Sequence, residues 1–207
     1  MSNTHIEMVE SGFEKADNYR YQMGRYNLAI QHEFYFEAIV IAYAMIEDRL
    51  LAFLHYAGVI DRRQQSDQTE HGIYVSAQCQ KQINVLLKRN NNQIINLNTI
   101  NIKIKIIKNL MKLPESNNDQ YLDLVRAQID RMINRNEFNA LIQKLNTWLP
   151  LRNQIIHALM GKQTKEVLAR QACIADERLT IGRAIDGFVS KLKNGNSDGI
   201  RIPNTEE

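Results

Sequence analysis

Proline and glycine are scarce here, three and nine residues in a chain of 207. Few positions therefore force a turn, and long helices are favoured. Cysteine is scarcer still. Cys79 and Cys173 stand far apart with no C-x-x-C neighbour, which argues against a disulfide framework or a zinc site and makes a reducing cytoplasm the expected location. Both cysteines sit in apolar helical contexts and are expected to be small core residues. The longest apolar run, AIVIAYAMI at 38–46, is about half of what a bilayer span needs, and Glu47-Asp48-Arg49 closes it. The opening MSNTHIEMVESGFEK has acids and no apolar stretch of the secretory kind. Neither secretion nor membrane spanning is expected. A Gly-rich phosphate loop, H-E-x-x-H, G-x-S-x-G and paired Cys/His ligands are all missing, so no metal or cofactor is expected. The formal charge of +3 neither identifies nor opposes a nucleic-acid partner.

What remains is an ordinary globular composition, 44% hydrophobic and 24% charged, enough for one well-buried domain. Residues 4–32 scatter Ile6, Phe13, Tyr21, Leu28 and Ile30 among charges, the pattern of a partly exposed opening helix or helix pair. FEAIVIAYAMIEDRLLAFLHYAGVI then reads as a central bundle helix, apolar nearly all round in its first half, with Gly58 as its stop. Within it, the charges of IEDRL have two readings: the helix emerges into solvent, or Glu47 lies at a site and orients a cation. DRRQQSDQTEHG, 61–72, is a polar loop. Residues 78–113 are ambiguous. Ile100, Ile102, Ile104 and Ile106 alternate like a strand, whereas Ile100, Ile104, Ile107 and Met111 keep helical spacing. Helix is preferred, because only GIYVS at 72–76 could serve as a strand partner. The lysines at 103, 105, 108 and 112 form either a solvated face or a contact surface for phosphate.

Pro114 and ESNND mark a break. Helical periodicity resumes with Leu122, Val125, Ile129 and Ile133, and again with Phe138, Leu141, Ile142 and Leu145. A last helix is expected from about Thr164 to Lys193, with Val167, Leu168, Ala172, Ala175, Leu179, Ile185, Phe188 and Leu192 on its apolar side. The expectation is thus one all-α domain over 1–193, with 61–118 inserted between its halves and 194–207 as a flexible tail.

LPLRNQIIHALMG, 149–161, raises the functional question. Pro150 fits a first helical position and pushes Leu149 out of the α region, so a new helix is expected to start here. Arg152 then falls in the first turn, where a cation opposes the helix dipole at about 0.3–1 kcal/mol. The free N–H groups of that turn and the guanidinium fork could together hold a phosphate. At about 100° per residue from Arg152, Asn153 falls near 100°, His157 near 140° and Gln154 near 200°. Leu151, Ile155, Ala158 and Leu159 share the arc from about 240° to 340°. His157 is therefore on a polar stripe with Asn153, and Arg152 lies at its edge. An imidazole, whose ordinary pKa is about 6.5, can take a proton from a ribose 2′-OH or give one to a leaving 5′-oxygen. An arginine can stabilise charge on the non-bridging oxygens. Neither step requires a metal.

Arginine followed after four to six residues by histidine occurs three times: Arg25 to His32, Arg49 to His55 and Arg152 to His157. His32, His55 and His157 are expected on helices, His5 and His71 at the surface. The third pair differs in its adjacent Asn153 and its place between two long helices. This hexapeptide, RNQIIH, resembles the R-N-x-x-x-H motif of HEPN-domain ribonucleases, a superfamily that includes toxins, abortive-infection proteins and nuclease domains of some CRISPR effectors. The resemblance extends to a helix pair, about 12–33 and 35–58, packed against a motif helix and a closing helix. It implies a HEPN-like bundle and a metal-independent endoribonuclease leaving a 2′,3′-cyclic phosphate. It also implies a homodimer, in which Arg152, Asn153 and His157 of both chains form one composite site on an RNA substrate. Glu47 could support that site, Lys103, Lys105 and Lys108 could bind RNA, and an antitoxin or regulatory partner is possible. One feature departs from the toxins paired with nucleotidyltransferase antitoxins: their tyrosine two residues after the motif histidine is Leu159 here. The alternative function is a non-catalytic helical module for RNA or a protein, with Arg152 neutralising a carboxylate such as Glu47.

Overall fold

The alternation of isoleucines around residue 100 is resolved in favour of helix by burial and by a cap. Thr99 has extended backbone angles (φ −118°, ψ 139°), and its side chain accepts the Ile102 N–H at 3.4 Å, the bond of a helix N-cap. Ile100, Ile104, Ile107 and Met111 are all buried, with Lys103, Ile106 and Leu110 beside them. The computed structural model describes residues 12–60, 83–84, 87, 97, 99–113, 120–158 and 165–195. Among these the regular structure is wholly helical, and six helices follow in order. They are α1 (Gly12–Gln31), α2 (Tyr35–Tyr56), α3 (Ile100–Met111), α4 (Gln120–Met132), α5 (Arg135–Ala158) and α6 (Lys165–Gly195). No described helix is long and apolar enough to cross a membrane. The expected 61–72 loop, the 72–76 strand candidate, Cys79, His5, His71, Leu159 and the tail beyond residue 195 lie outside the described residues.

Two helices end in the same way, once with glycine and once without. After α2, the Gly58 N–H donates to His55 O at 2.9 Å and the Val59 N–H to Leu54 O at 2.8 Å. Gly58 takes φ 80°, and Leu54 and Val59 are both buried, the combination that closes a Schellman turn. After α1, the Glu33 N–H donates to Ile30 O at 3.1 Å and the Phe34 N–H to Ala29 O at 2.7 Å. Here the left-handed position, φ 60°, falls to Glu33. His32 belongs to this turn and not to a helix as expected. Asn134 opens α5, its side-chain oxygen accepting the N–H groups of Asn136 at 3.0 Å and Glu137 at 3.3 Å.

The chain forms two compact units, residues 1–45 with 150–179, and residues 46–149 with 180–207. The first joins α1 to segments of α2, α5 and α6. The buried Tyr26 hydroxyl donates to Ala175 O at 2.7 Å, tying α1 to α6, and Tyr19 OH donates to Met45 O at 3.3 Å, tying α1 to α2. Ala38, Ile39, Ile155 and Ile174 supply core. The second unit is centred on aromatic rings. Phe53 stacks on Phe138 with centroids 4.7 Å apart, and Phe188 meets Phe138 edge-on at 5.0 Å, both favourable ring geometries. Leu122, Val125, Ile129 and Ile133 are buried as their spacing predicts, and so are Trp148 and Leu149. The expected apolar side of α6 is buried at Ala175, Ile185, Phe188 and Leu192. Cys173 is exposed, which corrects its reading as a core residue: α6 turns it to solvent between the buried Gln171 and Ile174.

Candidate functional site

Pro150 does not start a helix. It lies inside α5, which runs unbroken from Arg135 to Ala158. Burial of Leu145, Trp148 and Leu149 holds the helix up to the proline, and packing of this kind overrides the local preference of a residue preceding proline. Arg152 opposes no helix N-terminus, so the dipole cost disappears, and no free N–H groups of a first turn stand beside it for an anion. His157 instead occupies the last turn of α5.

The wheel itself holds. Asn153, Gln154 and His157 are exposed, Ile155 is buried and Arg152 is half-buried. Asn153 and His157 are one turn apart on one face, about 6 Å along the axis. Arg152 bends towards this stripe from its edge, Nη1 donating to Asn153 Oδ1 at 2.9 Å. Its guanidinium carbon also lies 4.1 Å from the centroid of the Tyr43 ring, within cation–π range. Nε is buried and has no hydrogen-bond partner among the described residues. Among the described residues, Arg152 has no carboxylate partner. His157 has no hydrogen-bond partner among them either.

The other two arginine–histidine pairs are built differently. Arg25 is ion-paired with Glu37, and His32 stacks on Phe34 at 6.0 Å. Arg49 is held by Asp48 at 2.7 Å and Asp186 at 2.9 Å. His55 Nδ1 lies 3.3 Å from Ile60 O, in the turn that ends α2. Carboxylates thus neutralise Arg25 and Arg49, but none neutralises Arg152 among the described residues.

Glu47 and Lys103 answer to each other. Lys103 Nζ donates to Glu47 Oε1 at 2.7 Å, with side-chain exposures of 3% and 27%. This corrects the reading of Lys103 as an RNA contact, because a buried ammonium on a carboxylate has no face for a phosphate. It also decides the IEDRL question. Glu47, Asp48 and Arg49 do not simply emerge into solvent; they are half-buried and ion-paired, and the cation that Glu47 orients is Lys103. Lys105 and Lys112 are exposed and Lys108 half-buried. Glu47 and the lysines belong to the second unit, whereas Arg152, Asn153 and His157 belong to the first.

Sequence reasoning missed Tyr43. Its place inside AIVIAYAMI marks it only as part of an apolar helix, and nothing along the chain links it to Arg152. Among the described residues, no three His, Cys, Asp or Glu side chains come together in a way that could hold a metal ion. Compared with known protein families, curated proteins and solved structures, the chain matches none of them.

Proposed function

We propose that this chain is a metal-independent endoribonuclease of the HEPN type, serving as a toxin or in antiviral defence, with Arg152, Asn153 and His157 as its site. One observation carries the reading. Of the three arginines that precede a histidine at motif spacing, two are neutralised by carboxylates, while Arg152, with no carboxylate partner among the described residues, lies on a ring face and donates to an asparagine oxygen. Leaving its Nε buried without an acceptor costs about 1–3 kcal/mol.

In the proposed reaction, the His157 imidazole takes the proton of a ribose 2′-OH as the 2′-oxygen attacks the adjacent phosphorus. The bond from phosphorus to the 5′-oxygen breaks, and that oxygen receives a proton from the partner subunit's His157. The products are a 2′,3′-cyclic phosphate and a 5′-hydroxyl. Arg152 stabilises the charge on the non-bridging oxygens, and Asn153 orients the guanidinium. One exposed histidine per chain serves as both acid and base if two motif helices meet in a homodimer. The exposed Lys105 and the half-buried Lys108 would attract the RNA backbone, and an antitoxin or regulator would restrain the activity.

A second reading, a non-catalytic helical module, draws on Tyr21, Leu28 and Phe34, which are 65%, 56% and 60% exposed in the first unit. Tyr21 and Leu28 are seven residues apart on α1 and so share one helix face, and exposed apolar side chains on one face suit a protein partner. RNA cleavage in EDTA by wild type, Arg152→Ala and His157→Ala separates the two. Cleavage to cyclic-phosphate ends by wild type alone, with all three proteins folded and equally dimeric, supports the ribonuclease. Equal cleavage by all three would assign the activity to a contaminant and remove the site. No cleavage by any of them favours the binding module.

A further inference from the structure

We infer that Tyr43 is a positioning residue for Arg152, a neutral clamp that immobilises the guanidinium without discharging it. The inference rests on the ribonuclease reading of the Arg152 site and extends that site to a second helix. An arginine side chain carries about 2 kcal/mol of rotamer entropy, which must be lost before it can hold a transition state in register. A carboxylate would fix it, as Glu37 fixes Arg25 and as Asp48 and Asp186 fix Arg49, but would consume the charge in doing so. An aromatic face attracts a guanidinium through its quadrupole, by about 0.5–2 kcal/mol, and leaves the cation's charge in place.

The geometry fits this task. The Arg152 guanidinium carbon stands 4.1 Å from the Tyr43 centroid. Asn153 Oδ1 accepts from Nη1 at 2.9 Å, so one partner restrains the plane and the other its rotation within that plane. The platform is itself anchored. Tyr43 follows the buried Ile39, Ile41 and Ala42 on α2, and two residues on, Met45 O accepts the Tyr19 hydroxyl from α1. Ring, asparagine and arginine all belong to the first unit.

Two readouts test this on the full-length protein, using Tyr43→Phe, which keeps a ring, and Tyr43→Leu, which does not. The first is the Nε–H resonance of Arg152 in arginine-labelled protein, assigned by its disappearance in Arg152→Lys. In wild type and Tyr43→Phe it should be shifted by the ring current and exchange slowly with water. In Tyr43→Leu it should rejoin the exposed arginines. The second readout is RNA cleavage, in which Tyr43→Leu should lower kcat about 10- to 100-fold, the scale of a misplaced catalytic group. KM should change little, and Tyr43→Phe should restore most of the rate. If Tyr43→Leu does not fold, a ring-fluorinated phenylalanine at position 43 keeps the shape while draining the ring face, and should move both readouts in the same direction. An unmoved resonance in Tyr43→Leu overturns the clamp. A moved resonance with unchanged kcat overturns its role in the reaction. Wild-type protein that cuts no RNA overturns the ribonuclease reading instead, and the resonance then decides the clamp by itself.

Discussion

Lys103 and Glu47 form a nearly buried ion pair, Nζ to Oε1 at 2.7 Å, between α3 and α2. Taken singly along the chain, one looks like a surface lysine and the other like a charge interrupting an apolar helix. Paired, they satisfy each other inside the second unit. Such a pair contributes little net stability compared with an apolar replacement, but breaking it strands a charge.

Lys103→Met should therefore destabilise the protein by about 1–3 kcal/mol, since Glu47 is left without its donor. Adding Glu47→Leu should recover most of that loss. Urea unfolding of the two single variants and the double variant measures the coupling, and simple additivity would show that the pair is not formed in solution.

Glu33 occupies a left-handed position, φ 60°, in a turn whose α2 counterpart uses Gly58. A side chain there costs about 1–2 kcal/mol, while glycine adds freedom to the unfolded chain. Glu33→Gly should consequently stabilise by about 0.5–1 kcal/mol. A lower midpoint in thermal unfolding would argue against this turn.

Pro150 sits inside α5, where it lacks the N–H that would donate to Asn146 O. Alanine is about 3 kcal/mol better than proline in a helix interior. Part of that is already absorbed by the native geometry, so Pro150→Ala should gain about 1–2 kcal/mol. A proline at a true helix start would give little or no gain on the same substitution, so the unfolding free energy distinguishes a through-going helix from a new one.

Asn134 caps α5 through two backbone N–H groups. Asn134→Ala is expected to cost about 1 kcal/mol and Asn134→Ser very little. Equal losses in denaturant titrations would mean that the cap is not used.

Much of the helical framework was legible in the sequence. Periodicity places helices from Leu122, from Phe138 and across about 35–58, and the scarcity of proline and glycine allows them to be long. The stop at Gly58 was legible too, because glycine is the residue that takes a left-handed angle freely. The alternating isoleucines at 100–106 show the limit of such reasoning. Two periods coexist there, and burial of Lys103 beside Ile104 and Ile107 selects the helical one.

At the candidate site, the sequence by itself determined the local geometry. Arg152, Asn153 and His157 are near neighbours on any helix, and the exposed stripe follows from their spacing. Tertiary structure alone decided the rest. It carried α5 through Pro150, because burial of Trp148 and Leu149 outweighs the proline's local preference. Glu47 received Lys103, Arg49 received Asp186 and Arg152 received Tyr43, partners that the sequence does not link. Helical periodicity repeats every few residues and can be read locally. The choice of a partner depends on which helices pack together, and that is settled only when the whole core forms.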